Sequence, residues 1–290
     1  MSKIILGTAQ FGMDYGINNV RGKIPYNEVV EILNFAYKNG IDTLDTAYSY
    51  GESEEILGKA ISNSSLKFNI ISKLPDLEND KNVENIFNET LKRLRQKKLY
   101  GYLFHNFETF RKHPYIYNIF QELKCSNKVE KIGFSIYYPS EIDYLLDNKI
   151  DFDIVQIPYS IFDQRFENYL HLLKEKKIEV HIRSVFLQGL FFKKPDELSE
   201  NFVKIREDLE NINKISKRLN ISIASLCIKF ALMNENIDKI IIGIDSLEDL
   251  VENIRGINGN KIADKYFKLL RNMRVDDETI ILPFRWGFLK

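Results

Sequence analysis

The chain has 290 residues, 44% of them hydrophobic and 28% charged, with 41 basic and 41 acidic side chains in balance. That length fits a single domain, residues 1–290, of the α/β-barrel kind, which runs to about 250 residues before insertions. The composition excludes a disordered chain, and the balanced charge leaves no footprint for nucleic acid or a membrane surface.

The N-terminal MSKIILGTAQ enters a strand-like run at once, without the long apolar region of a signal peptide. Strand Ile4–Thr8 comes first, then helix Tyr26–Asn39, with Gly40 as a C-terminal stop. Strand Ile41–Asp45, helix Glu52–Ser62, strand Phe68–Lys73 and helix Val83–Lys97 follow. Strands Leu99–His105 and Val129–Ser135 precede helix Pro139–Asp147, strand Phe152–Gln156, helix Phe166–Lys176 and strand Ile178–Arg183. Helices Asn201–Leu219 and Ser222–Asn234, strand Lys239–Gly243 and helix Ser246–Ile254 complete the series, with Ser222 and Ser246 as N-caps. The strands are short and rich in Ile, Val, Leu and Phe, as buried parallel strands are.

Eight strands alternating with helices predict an α/β fold, a (β/α)8 TIM barrel with an extra helix before the last strand. An open doubly wound sheet would carry a Gly-rich turn after the first strand; Gly7-Thr8-Ala9-Gln10-Phe11-Gly12 is not that fingerprint. From about Asn260 the tail is irregular and ends ILPFRWGFLK. It either folds over one mouth of the barrel or lies inert. Cys125 and Cys227, far apart, make neither a metal site nor a disulfide framework, so a reducing compartment, the cytoplasm, is expected.

A barrel of this kind places its site at the C-terminal strand ends. Here those ends are Thr8, Asp45, Lys73, His105, Ser135, Gln156, Arg183 and Gly243, most of them polar after apolar runs. Tyr50 follows Asp45 in a short polar loop. A phenol with a pKa near 10 is a weak acid, and a neighbouring ammonium lowers that pKa. Lys73 can be that ammonium and Asp45 its counter-charge. His105 can then orient a carbonyl: one acid, one tuner, one holder of the tuner and one orienter.

These four residues, in this order at these strand ends, resemble the catalytic set of the aldo-keto reductase superfamily. GIDTLDTAYSYGESEEILGKAI is similar to the family's second strand and helix, IISKL to its third strand and YLFHN to its fourth. The resemblance runs from Ile4 to about Ile257. It implies Asp45, Tyr50, Lys73 and His105 as catalytic residues and hydride transfer between NAD(P)H and a carbonyl, with Tyr50 as proton donor. It further implies that Gly7, Thr8, Asp45, Ser135, Gln156, Arg183, Ser184, Gln188, Gly243, Asp245, Asp249, Glu252 and Asn253 bind the cofactor. No metal is implied.

This chain departs from the family pattern at several positions. Ile136 stands where relatives often have asparagine, so one carboxamide hydrogen bond is expected to be missing. Arg183 stands where many relatives stack an aromatic ring on nicotinamide. A guanidinium can stack as well, and its charge would favour the reduced cofactor. The free N–H groups at Ser246 would favour an anionic group. The family resemblance favours NADP(H), whereas Asp245 and Asp249 would repel a 2′-phosphate and leave room for NAD(H); the same two acids could instead only cap the last helix. Only three residues precede the first strand, so the barrel floor must be closed differently or less completely.

The loops expected to line the substrate mouth hold Phe11, Met13, Asp14, Tyr15, Asn18, Asn106, Phe107, Phe186 and Gln188, with Phe11, Tyr15 and Asn106 as substrate contacts. Aromatic and amide groups together suit a sugar-like carbonyl, and ILGTAQFGMDYGINN resembles reductases of bacterial surface-sugar synthesis. Two other classes compete: a nicotinamide-binding sensor without turnover, and a lyase using Lys73 as a Schiff base.

Overall fold

The computed structural model describes residues 2–77, 82–258 and 261–286. Eight parallel strands close into a barrel in sequence order. They are β1 (Ile4–Gly7), β2 (Thr43–Asp45), β3 (Asn69–Leu74), β4 (Leu99–Phe104), β5 (Val129–Ser135), β6 (Ile154–Pro158), β7 (Glu179–Arg183) and β8 (Lys239–Ile242). β1 closes the ring on β8, with Leu6 opposite Ile242.

The two-residue period of each strand divides its side chains between two cores. Ile5, Ile71, Leu103, Ile154 and Ile241 fill the barrel interior. Ile4, Leu6, Leu44, Ile70 and Tyr102 face outward into a larger core under the helices. At Gly133 a Cβ would fall 1.8 Å from the Ile154 carbonyl oxygen, so only glycine lets β5 and β6 approach there.

The helices that matter for the site are α1 (Tyr26–Lys38), α2 (Ser53–Ser62), α3 (Val83–Leu94), α4 (Ile116–Cys125), α5 (Pro139–Asp147), α6 (Glu167–Glu175), α7 (Arg206–Leu219), α8 (Ile223–Leu232) and α9 (Leu247–Ile257). The expected caps are present: Ser222 Oγ accepts from Ser225 N at 3.1 Å, and Ser246 Oγ from Asp249 N at 3.1 Å. Helix α4, with the short helix Phe107–Lys112 before it, has no counterpart in the sequence reading. Pro114 interrupts that stretch, and its many aromatic residues have modest helix propensity; the helices form because Phe107, Phe110, Ile116 and Phe120 are buried. The expected helix 201–219 begins instead as a 3-10 segment, Glu200–Ile205, ahead of α7.

A polar cluster gathers at the N-terminal ends of β4, β5 and β7. Glu179 accepts from the Tyr100 hydroxyl at 3.0 Å and from Lys131 Nζ, and lies 3.2 Å from His181 Nε2. Burial pushes its carboxyl up, but the bonds from His181 and Lys131 outweigh that and hold it at about 2. Lys239 Nζ ties the N-terminal residues down through the Ser2 carbonyl at 2.8 Å.

The tail is more regular than expected and folds over the upper mouth. Helix Asp264–Arg271 and the short turns 278–285 bring Phe284 against Tyr137, with ring centroids 4.7 Å apart. Trp286 packs on Phe202, and Arg285 reaches the Tyr138 hydroxyl at 3.1 Å. Residues 287–290 of the ILPFRWGFLK segment lie outside the described residues.

Candidate active site

The loop after β2 is two tight turns, which carry Tyr50 from Asp45 to the rim of the mouth. Tyr50 N bonds the Ala47 carbonyl at 3.0 Å, and Ser53 N bonds the Tyr50 carbonyl at 3.0 Å. The Ser53 hydroxyl anchors the loop to β1 through the Thr8 carbonyl at 2.9 Å. Gly12 makes this possible: a Cβ there would fall 1.9 Å from the Tyr50 carbonyl oxygen.

Lys73 rises from β3 with only 1% of its surface exposed. Its Nζ donates to Asp45 Oδ2 at 2.6 Å and to the Thr46 carbonyl at 2.8 Å. It lies 5.1 Å from the centre of the Tyr50 ring. Burial lowers the lysine's pKa, and Asp45 opposes that. Gln156 Nε2 donates to the other Asp45 oxygen at 2.5 Å, so both carboxylate oxygens are satisfied.

His105 follows β4. Its ring meets Tyr50 edge-on, with centroids 5.6 Å apart, and its Nδ1 is 3.0 Å from Ser49 Oγ. Nε2 is therefore the ring nitrogen left to meet a carbonyl. Burial, Lys73 and Arg183 hold the imidazole down at about 3, so it is neutral at physiological pH.

Tyr50 departs from expectation. Burial and the Asp45 carboxylate push the phenol above its usual value, with Arg183 opposing, whereas the sequence pointed to lowering by Lys73. The physical reason is that Asp45 already neutralises Lys73, so the ion pair presents little net charge to the phenol. This arrangement keeps the phenol protonated at neutral pH.

All four residues border one cleft of about 740 Å³, running from Tyr50, Lys73 and His105 to Gly243, Asp245, Asp249, Glu252 and Asn253 at the start of α9. Gly7, Thr8, Asp45, Ser135, Arg183, Ser184 and Gln188 also line it. Gln156 does not: it is fully buried beneath Asp45. Its Oε1 is buried without a hydrogen-bond partner, and it lies on β6 opposite Ser135 of β5. An acceptor left open beside a hydroxyl fits the amide N–H of a nicotinamide carboxamide. Ile136 is fully buried, so its side chain brings no polar group to the cleft.

Two expected substrate contacts are corrected. Phe11 is fully buried, because the one-turn helix Ala9–Gly12 turns it into the core. Asn106 caps the helix Phe107–Lys112, accepting from Glu108 N at 3.0 Å, and is not part of the cleft wall. Phe107 is likewise core, and Asp14 lies outside the wall. Tyr15 does line the cleft, its hydroxyl accepting from Gln188 Nε2 at 2.9 Å. Ile17 N bonds the Gln188 carbonyl, and Asn18 bonds the Gly189 carbonyl. The loops after β1 and β7 thereby cross over the cleft.

Tyr137, Ser49, Phe192 and Phe284 are wall residues that the sequence reading did not single out. Tyr137 stands two residues past the end of β5; that offset was the available signal.

At the α9 end, the helix N-terminus is partly occupied. Leu247 N donates to Glu28 Oε1 at 3.1 Å, and Asp249 Oδ2 accepts from Asp245 N at 3.1 Å. Glu28 is paired with Arg21 at 2.8 Å. The expected anion site is thus partly filled by the protein itself: the Glu28 carboxylate takes Leu247 N and the Ser246 hydroxyl takes Asp249 N. Asp245 accepts from Gln10 Nε2 at 3.3 Å, and burial pushes its carboxyl up.

Among the described residues no group of His, Cys, Asp or Glu is placed to hold a metal ion, and no helix is long and apolar enough to cross a membrane. A family model, the aldo/keto reductase family, matches residues 3–274. The chain is 26% identical to the uncharacterized oxidoreductase YqkF of Bacillus subtilis, over 96% of this chain and 98% of that one. It is also 26% identical to the NADH-specific methylglyoxal reductase of Escherichia coli, over 94% of each. Among solved structures, an aldo-keto reductase of Bacillus halodurans in its holo form superposes with a TM-score of 0.75 at 19% identity, covering 96% of this chain and 94% of that one. The chain therefore belongs to the aldo/keto reductase family and is an NAD(P)H-dependent oxidoreductase that reduces carbonyl compounds.

Proposed function

We propose that the chain, acting as one catalytic domain, reduces an aldehyde or ketone with Tyr50 as the general acid and NADH as the preferred cofactor. The observation that carries the chemistry is the convergence of Tyr50, the Lys73–Asp45 pair and His105 at one end of a single cleft. His105 Nε2 and the Tyr50 hydroxyl hold the carbonyl oxygen. The reduced nicotinamide, when bound, supplies the hydride to the carbonyl carbon. Tyr50 gives its proton to the oxygen, and the charge left on the phenol is stabilised by the Lys73 ammonium over its ring. Because Lys73 is buried and ion-paired, it is not the free amine that a Schiff-base lyase needs.

Ser135 and Gln156 would hold the carboxamide, and Gly243, Asp245, Asp249, Glu252 and Asn253 the adenosine end. Asp245, Asp249, Glu248 and Glu252 crowd that end with negative charge, which disfavours a 2′-phosphate. The similarity to an NADH-specific relative supports the same preference. The tyrosine- and amide-lined mouth supports a hydroxylated, sugar-like carbonyl, and two free cysteines suit the cytoplasm.

The test is loss of NADH absorbance with a panel of aldehydes, ketones and keto-sugars. Turnover is expected to fall about 10²–10⁴-fold in Tyr50→Phe. Cofactor binding with no turnover by the unaltered enzyme across the panel would instead indicate a sensor.

A further inference from the structure

Arg183, at the end of β7, is a cation with no counter-ion among the described residues. Several other basic side chains that are buried or partly buried have carboxylate partners: Lys73 has Asp45 at 2.6 Å, Arg165 has Asp163 at 2.8 Å, and Lys131 has Glu179. No carboxylate among the described residues lies within 4 Å of Arg183. Its Nη2 donates to the Ile136 carbonyl at 2.8 Å, and Nη1 reaches Ser184 Oγ only at 3.5 Å. The guanidinium carbon lies 4.0 Å from the centre of the Tyr137 ring. Its Nε is buried with no acceptor at all. Glu141 feels its charge, but one Glu141 oxygen is committed to the backbone N–H groups of Tyr137 and Tyr138, at 2.7 and 3.0 Å.

A half-buried guanidinium in this state is costly unless a ligand brings the anion. Its location narrows what that ligand is. Arg183 faces the cleft, and its charge is felt by Tyr50, Lys73 and His105 together, so it belongs to the reacting end and not to the α9 end. One face of the guanidinium rests on Tyr137, which fixes its plane and leaves edge donors for a planar or tetrahedral oxyanion. Hydroxyls and an amide surround the same space: Ser49, Tyr15, Tyr137 and Gln188.

We infer that Arg183, held by Tyr137 and Ile136, is a specificity residue that selects carbonyl substrates bearing an oxyanion group, a carboxylate or a phosphate ester, on a hydroxylated carbon chain. The oxyanion is a spectator: the carbonyl carbon gains hydride, its oxygen gains the Tyr50 proton, and the anionic group leaves unchanged. This inference rests on the reductase reading above and names the substrate class for it.

The experiment uses matched substrate pairs with saturating NADH: glucuronate against glucose for the carboxylate, and glyceraldehyde 3-phosphate against glyceraldehyde for the phosphate. The charged member of at least one pair is expected to have the higher kcat/KM, and which pair responds identifies the oxyanion. In Arg183→Met the charged-to-neutral ratio is expected to fall about 10- to 100-fold, the scale of a charge-assisted hydrogen bond, mainly through KM. Arg183→Lys, which keeps the charge without the fork, should restore part of that ratio. Dissociation constants for NADH and NAD⁺ are measured alongside by fluorescence titration. An unchanged ratio in both pairs would overturn the inference. So would a shift in the relative affinity for NADH and NAD⁺ without a shift in the substrate ratio, which would make Arg183 a nicotinamide contact alone. If neutral and charged carbonyls all fail with the unaltered enzyme, the reductase reading itself falls.

Discussion

The two ends of the cleft handle charge in opposite ways. Around Tyr50 the buried ion pair is complete: Lys73 has Asp45 and the Thr46 carbonyl, and Asp45 has Lys73 and Gln156. At the start of α9, carboxylates outnumber cations: among the described residues Asp245, Glu248, Asp249 and Glu252 have no ion-pair partner, and Arg21, which donates to the Asp245 carbonyl at 3.2 Å, is the cation beside them. Glu28 and Asp249 sit on backbone N–H groups there, and Arg21 is already paired with Glu28. The first end is built so that one proton sits on one oxygen. The second is built to exclude a charge. Catalysis and cofactor choice are thus separate problems in this chain, and each end can be altered alone.

The largest effect is expected from breaking the complete end. Lys73→Met leaves Asp45 buried with only Gln156 as donor and removes the ammonium over Tyr50. Removing one partner of a buried pair costs about 3–5 kcal/mol, which urea denaturation would read as a lower midpoint. Activity should fall at least as far as in Tyr50→Phe. The double substitution Lys73→Met with Asp45→Leu should recover much of the stability and none of the activity. Recovery of activity would show that the pair is only structural.

A smaller effect is expected at the acidic end. A 2′-phosphate brought near Asp245 and Asp249 meets like charges in a half-buried site, so NADH should bind about tenfold or more tightly than NADPH. Asp249→Asn keeps an oxygen to accept from Asp245 N and removes one charge. It should narrow the difference several-fold, measured by quenching of protein fluorescence. A preference for NADPH in the unaltered enzyme would end the contrast between the two ends.

How much of this was legible beforehand follows the range of the interactions. The eight strands were visible because each is a short run of Ile, Val, Leu and Phe, and their register follows from barrel closure. That Asp45, Tyr50, Lys73 and His105 share one cleft was visible because polar residues at or just after the ends of apolar runs are displayed by local sequence. Phe11 and Asn106 misled because a loop residue near a mouth reads the same whether it faces inward, caps a helix or lines the cleft. Tyr137 was one tyrosine among 15 until the fold placed it on Arg183. The contact of Glu28 with Leu247 joins residues 219 apart and has no local signature. The direction of the Tyr50 shift was missed for a similar reason. The Lys73–Asp45 pair is readable in sequence, but the burial of the Tyr50 phenol, the largest cause of its upward shift, depends on how the loops close over it.

The smallest effect concerns His105 and sharpens the complete end further. Burial and the charges of Lys73 and Arg183 hold its imidazole at about 3, against 6.5 in an unfolded chain. The unfolded state therefore binds more protons than the folded one between those values, and stability rises with pH across that window. The contribution is complete above about pH 6.5 and is lost as pH falls towards 3. In His105→Gln this source of acid sensitivity is gone, so the fall in Tm between pH 7 and pH 4 should be smaller than in the unaltered protein by several degrees. Catalysis should agree: with His105 neutral throughout, kcat/KM should show no histidine-like inflection between about pH 5 and pH 8. An inflection near 6.5 that vanishes in His105→Gln would mean that the imidazole takes up a proton beside Lys73 and Arg183.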